Sequence, residues 1–345
     1  MDNISEQSLP SPPLPEHYEE VVYKPKKKRR WPWVILGISL LLNMATCTSA
    51  LFNSVSYPEE EYPLVNERLA WGEAHGTKVA LLRLSGAIFP ESPSTLFGAQ
   101  VDPVTKLLSE IQAVTMDEEV RAILIEIDSP GGTVTGSDQI YRALLQFKES
   151  SPDRIIVARV GSMAASGGYY VAMAADHIVA EPTSMVGSVG VILSAMNFHE
   201  LGKKIGVDDV SLTSGENKAL LSPFDPPNQG HQKILQDIVD ELYRQFRAIV
   251  IEGRDLDEAY VNEHQLLDGR LITAQEALEH GLVDEIGLAQ DARASVERLL
   301  KTDQVAFTLT DYTGGWGSLF AVRSPELGLP QAMPKGFLYY WSPAL

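Results

Sequence analysis

Residues 78–200 alternate two kinds of segment, and that alternation leaves the chain few folds to choose from. Residues 79–89 (VALLRLSGAIF), 122–127 (AILIEI) and 154–160 are apolar and rich in branched side chains, the pattern of buried strands. Between them, 102–114 and 135–148 carry apolar residues at helical spacing, with Val104, Leu107, Leu108 and Ile111 on one side of the first. Further strands are predicted at 177–180 and 189–197, and a long helix at 228–252. Connections of this length suit parallel crossovers, so the expected fold class is α/β with a mostly parallel sheet flanked by helices. Residues 255–299 read as short helical and strand pieces, and 301–345 form a C-terminal tail to which no structure is assigned.

Composition narrows the function. The chain has 345 residues and a formal net charge of -18, which argues against a nucleic-acid partner, since phosphate binding needs a basic surface. A single cysteine, Cys47, excludes an internal disulfide and a cysteine-rich metal site. The histidines show no H-E-x-x-H spacing, so neither a metal nor another cofactor is expected.

Residues 1–30 are rich in Pro, Glu and Lys and read as a disordered cytoplasmic tail that ends in the basic run KPKKKRR. The mostly apolar stretch 31–52 follows. As a helix it would span about one bilayer core, with the basic side held in the cytoplasm and Trp31 and Trp33 at the interface. A retained signal-anchor, a cleaved signal peptide with small residues Thr48 and Ala50 at the cleavage site, and a lipid on Cys47 all fit this stretch. Each places the folded body, 78–300, outside the cytoplasm, beyond a polar linker at 53–77. The expected architecture is one transmembrane helix followed by the α/β domain.

Acyl transfer to a serine needs an exposed hydroxyl, a base for its proton and donors for the developing oxyanion. Ser166 lies in Gly161-Ser162-Met163-Ala164-Ala165-Ser166-Gly167-Gly168, a small-residue segment between a strand and a helix. Free backbone N–H groups at the helix start would face its oxygen; an ordinary N-cap serine has the same sequence pattern. The turn Asp128-Ser129-Pro130-Gly131-Gly132 follows a buried strand and offers the Gly132 amide, with that of Gly167, as oxyanion donors. The same turn also suits a plain strand–helix connection. For the base, His177 falls at the far end of the Ser166 helix, and nothing recommends His199 or His231. Lys218 sits in a loop before the long helix, beside Ala219, Leu220 and Leu221. A lysine acts as a base only where desolvation favours its neutral form, and the alternative is a solvated surface lysine.

Taken together and in order, these pieces resemble the signal peptide peptidase A family of bacterial serine peptidases. The resemblance covers roughly 78–290. It rests on Ser129-Pro130-Gly131-Gly132, on Met163-Ala164-Ala165-Ser166-Gly167-Gly168-Tyr169-Tyr170, on Gly187-Ser188-Val189-Gly190-Val191 and on Ser214-Gly215-Glu216-Asn217-Lys218. It implies a Clp protease/crotonase-like fold, Ser166 as nucleophile, Lys218 as general base and Ser188 as the hydroxyl that holds the lysine amine. It also implies Gly132 and Gly167 as the oxyanion donors. The family's single-domain members imply a ring-like homo-oligomer in which the lysine of one subunit can serve the serine of the next. Peptides such as remnant signal peptides at the membrane are the implied substrates. The run Glu-Asn-Lys-Ala around the lysine differs from that of many members, and the tail beyond 302 matches no family feature. Two rival readings share the fold: an acyl-CoA enzyme of the crotonase type, and a non-catalytic membrane scaffold.

Overall fold

The computed structural model describes residues 65–90 and 102–312, with the backbone of Leu338–Tyr340. The expected membrane span at 31–52 lies outside these residues. Among the described residues no helix is long and apolar enough to cross a membrane.

The core is a twisted sheet. Its strands are β1 (Val65–Gly72), β2 (Thr77–Ser85), β3 (Val120–Ser129), β5 (Ile155–Ala165), β6 (His177–Ala180), β7 (Met185–Gly187), β8 (Leu271–Thr273), β9 (Glu285–Ile286) and β10 (Val305–Tyr312). The main path runs β1-β10-β2-β3-β5-β6-β9, parallel from β10 to β9, with β1 antiparallel at the edge. β3 is buried along nearly its whole length because both of its faces are covered, as a central parallel strand requires. One face packs on helices α1 (Pro103–Met116) and α2 (Val134–Glu149) through Leu107, Ile111, Ile140 and Leu144. On the other face Ala122, Leu124 and Val157 meet Ala292 and Val296 of α8 (Ala289–Leu300).

Local chemistry sets the helix starts. The Asp102 carboxylate accepts from the Thr105 amide at 2.8 Å, with Pro103 in the first helical position of α1. Thr133 caps α2 through the Gly136 amide, and Asn228 caps the 25-residue α5 (Gln229–Gly253). Between these elements lie β4 (Gly131–Thr133), α3 (Gly167–Ala172), α4 (His199–Ile205), α6 (Glu258–Glu263) and α7 (Ala274–Glu279).

Four expectations change in detail. β5 runs on through Ala165 instead of stopping at 160, because Met163–Ala165 pair with β7. The strand expected at 189–197 is not formed: β7 lies just before it, Ile192 makes only an isolated bridge, and Ile192 and Met196 are exposed. Part of the expected linker, Val65–Gly72, and part of the expected tail, Val305–Tyr312, join the sheet side by side. Finally, β11 (Leu338–Tyr340) lies antiparallel to β4, with Tyr339 opposite Gly132.

Candidate active site

Ser166 ends β5 and begins α3. Its backbone has φ 52° and ψ -118°, a conformation an L-residue adopts only under constraint, at a cost of order 1–3 kcal/mol. Its N–H donates to the Gly187 carbonyl at 2.7 Å, and its carbonyl accepts from Tyr170 at 2.9 Å. The strained turn is therefore tied at both ends, to β7 and to the first turn of α3. Such a strand-to-helix turn holds a side-chain oxygen beside the free amides of the helix start. The Gly167 N–H has no acceptor among the described residues.

Gly132 stands next to this turn. A Cβ added to Gly167 would lie 3.2 Å from the Gly132 nitrogen and 2.2 Å from Ser137 Oγ, so the two backbones approach at the distance only glycine permits. Gly132 is equally confined, since a Cβ there would sit 2.1 Å from the Ile88 carbonyl oxygen. Ile88 also fixes the direction of the strand. Its N–H donates to Gly131 O at 2.9 Å and its carbonyl accepts from Thr133 N at 2.8 Å. Alternate residues of a strand face opposite edges, so the Gly132 N–H and C=O point away from Ile88, toward β11.

Ser188 follows Gly187, the acceptor for Ser166. It too has a positive φ, 51°, and its N–H donates to Arg270 O at 2.7 Å. Ser166 is 1% exposed and Ser188 7%, and neither hydroxyl hydrogen-bonds to another described residue. Four of the five predicted residues thus belong to one neighbourhood: Ser166, Gly167, Gly132 and Ser188.

Lys218 stands apart from them. The loop 206–218 is exposed, and the Lys218 side chain makes no hydrogen bond or ion pair with a described residue. The buried setting expected beside Ala219, Leu220 and Leu221 is not formed within one chain. Ala219 and Leu220 are half-buried and Leu221 is 49% exposed. These three line a cleft of about 330 Å³ with Met196, Asn228 and His231, whose buried Nε2 has no partner among the described residues. Among the described residues no histidine hydrogen-bonds to Ser166. His177 pairs with Glu285 at 3.0 Å, and His199 bonds the Phe224 carbonyl at 2.6 Å. Among the described residues no cluster of His, Cys, Asp and Glu is arranged to hold a metal.

The segment that precedes Lys218 in the chain carries many exposed apolar side chains. Val210 is 85% exposed, Leu212 96% and Ile205 66%, and Met196 and Leu201 are also exposed. Only Phe246 and Val250 of the long α5 are fully buried, both in its second half. Exposed apolar side chains in this number are a feature of surfaces that contact other proteins. The sequence reading expects active sites at or near subunit interfaces but does not identify these residues as exposed.

Residues 149–303 match the model of Peptidase family S49. The chain is 32% identical over 306 residues to an Enterococcus faecium protein named for signal peptide peptidase SppA, covering 84% of this chain and 87% of that one. It is 30% identical over 212 residues to the chloroplastic serine protease SPPA of Arabidopsis thaliana, covering 61% of this chain and 30% of that one. Among solved structures, a ClpP1 mutant from Listeria monocytogenes aligns with a TM-score of 0.38 and 14% identity. That alignment covers 61% of this chain and 93% of the other.

Proposed function

Since the chain belongs to peptidase family S49 and is a serine peptidase, we propose that Ser166 is its nucleophile and Lys218, supplied by a neighbouring copy, its general base. One observation carries the assignment of Ser166: it sits in a strained strand-to-helix turn whose next residue, Gly167, closely approaches Gly132. The Lys218 amine takes the Ser166 Oγ proton as the oxygen attacks a peptide carbonyl. The Gly132 and Gly167 amides hold the oxyanion that forms. The amine then gives the proton to the leaving nitrogen, and water hydrolyses the ester. Ser188, on the turn that accepts the Ser166 amide, positions the incoming lysine.

The assembly is a homo-oligomer. Its support is the set of exposed apolar side chains between Met196 and Leu212 in the segment that leads to Lys218, which a second copy would cover together with the amine. Burial between subunits would supply the desolvation that the amine lacks in a single chain. Residues 31–52, behind the basic run that ends at Arg30, anchor the protein in a membrane with the peptidase domain on the extracytoplasmic side. The substrates are apolar peptides, remnant signal peptides among them. The names of the relatives and the apolar lining of the cleft beside Lys218 support this class.

Subunit mixing tests the shared site. Ser166→Ala and Lys218→Ala are each inactive alone. Co-assembled in equal amounts, they regain about a quarter of wild-type activity, since that share of interfaces pairs an intact serine with an intact lysine. No recovery in verified mixed oligomers would place both groups in one chain and overturn the shared-site reading.

A further inference from the structure

Ser129 closes β3 and is fully buried, although a serine hydroxyl is costly to bury without partners. It has two. Ser129 Oγ donates to the Gly86 carbonyl at 2.6 Å and accepts from the Gly131 N–H at 3.1 Å. A hydroxyl donates and accepts at once, so one small side chain joins the loop after β2 to the turn after β3. Gly86 is itself held, since its N–H donates to the Asp128 carbonyl at 2.9 Å.

The two peptide planes that meet at the Gly131 Cα are each tied from outside. Ser129 Oγ holds the N–H of the Pro130–Gly131 peptide. Ile88 N donates at 2.9 Å to the carbonyl of the Gly131–Gly132 peptide, the plane that also carries the Gly132 N–H. Gly131 between them has φ 94°, and a glycine turns freely unless its flanking peptides are bonded. Released from Ser129, the first plane can rotate about the Gly131 N–Cα bond, and the Gly132 N–H changes direction with it. The end of β3 also rests on the first turn of α3. A Cβ on Gly168 would lie 2.9 Å from the Ser129 carbonyl oxygen and 3.2 Å from the Ser129 Cβ.

We propose that Ser129 is the positioning residue of the oxyanion hole: its hydroxyl fixes the Pro130–Gly131 peptide and so aims the Gly132 N–H at the reacting carbonyl. This rests on the assignment of the Gly132 amide as an oxyanion donor. The hydroxyl acts through the backbone. Its removal therefore weakens the hold on the oxyanion more than the binding of intact substrate.

The test uses the full-length protein and its Ser129→Ala, Ser129→Cys and Gly132→Ala variants. Each is assayed on a Phe-p-nitroanilide peptide and titrated with a peptide aldehyde of the same sequence, whose hemiacetal oxygen takes the place of the oxyanion. Ser129→Ala is expected to lower kcat roughly 10–100-fold with KM nearly unchanged. The aldehyde inhibition constant should rise by the same factor as kcat/KM falls. Ser129→Cys keeps a weaker donor and acceptor and should show smaller losses in the same proportion. It is read the same way if Ser129→Ala does not fold. A fall in kcat with an unchanged aldehyde constant would mean fewer folded molecules, not a misdirected donor, and would overturn the inference. So would wild-type kcat in folded Ser129→Ala. In either case, a loss of both kcat and aldehyde binding in Gly132→Ala leaves the donor assignment standing. Wild-type behaviour in Gly132→Ala as well overturns both.

Discussion

The Ser166 amide donates to the Gly187 carbonyl at 2.7 Å, and this bond joins two turns that each contain a serine at positive φ. Ser166 and Ser188 are therefore set by one another's backbone. A change that relaxes the Gly187 turn displaces Ser166, the proposed nucleophile, without touching it. Gly187 has φ 95°, so Gly187→Ala strains the turn. It is expected to lower kcat at least tenfold while the Tm falls by only a few degrees. Unchanged kcat would mean that the bond does not position Ser166.

Gly132 admits no side chain. Its Cβ would meet the Ile88 carbonyl oxygen at 2.1 Å, so Gly132→Ala must shift the strand that carries the proposed oxyanion donor. Losing one such donor costs roughly 10²–10³ in kcat in related chemistry. The expected result is a loss of that order in peptide hydrolysis, read in a variant whose far-ultraviolet circular dichroism matches the wild type.

The apolar surface gives a prediction about assembly. Leu212→Asp places a charge where Leu212 is 96% exposed in one chain, so it should not alter the fold of the monomer. In the oligomer it would be buried and unpaired. Sedimentation is expected to show smaller species, and activity is expected to fall with them. Full activity in a dispersed monomer would place Lys218 in the same chain as its serine.

The Lys78–Asp117 pair gives a pH prediction. Lys78 Nζ lies 2.5 Å from Asp117 Oδ2 and 2.6 Å from Glu67 Oε2, which ties β2 to the turn before β3 and to β1. Burial pushes the Asp117 carboxyl up, but the bonds from Lys78 and the Glu119 amide outweigh it and hold the group below the usual carboxylate range. A depressed carboxylate stabilises the fold above its unfolded pKa, and that contribution fades as pH falls through the folded value. Asp117→Asn is expected to cost about 1 kcal/mol at neutral pH. The gap in denaturation midpoint between variant and wild type should close in acid, below the usual carboxylate range.

Much of the fold can be read in the sequence because its central strands are buried on both faces. β3 and the first half of β5 are nearly continuous apolar runs, and Gly132, Ser166 and Gly167 lie a few residues beyond them, whereas Ser188, after the unpredicted β7, was named only through the family resemblance. β10 escaped notice because TDY at its end is polar and its partners, β1 and β2, are more than 200 residues away in the chain. The extension of β5 was hidden by small residues that lack strand propensity and are held by β7. The exposure of Lys218 was illegible for a different reason. Local sequence shows apolar neighbours for the lysine, but it does not show whether they face their own chain or another copy.

The most direct measurement is the rate and site of labelling by a fluorophosphonate, mapped by peptide mass spectrometry in the wild type, Ser166→Ala and Lys218→Ala. The expected result is a single adduct on the peptide containing Ser166, absent in Ser166→Ala and at least a hundredfold slower in Lys218→Ala. An adduct on another residue, or wild-type labelling speed without the lysine amine, would contradict the assignment of the nucleophile and its base.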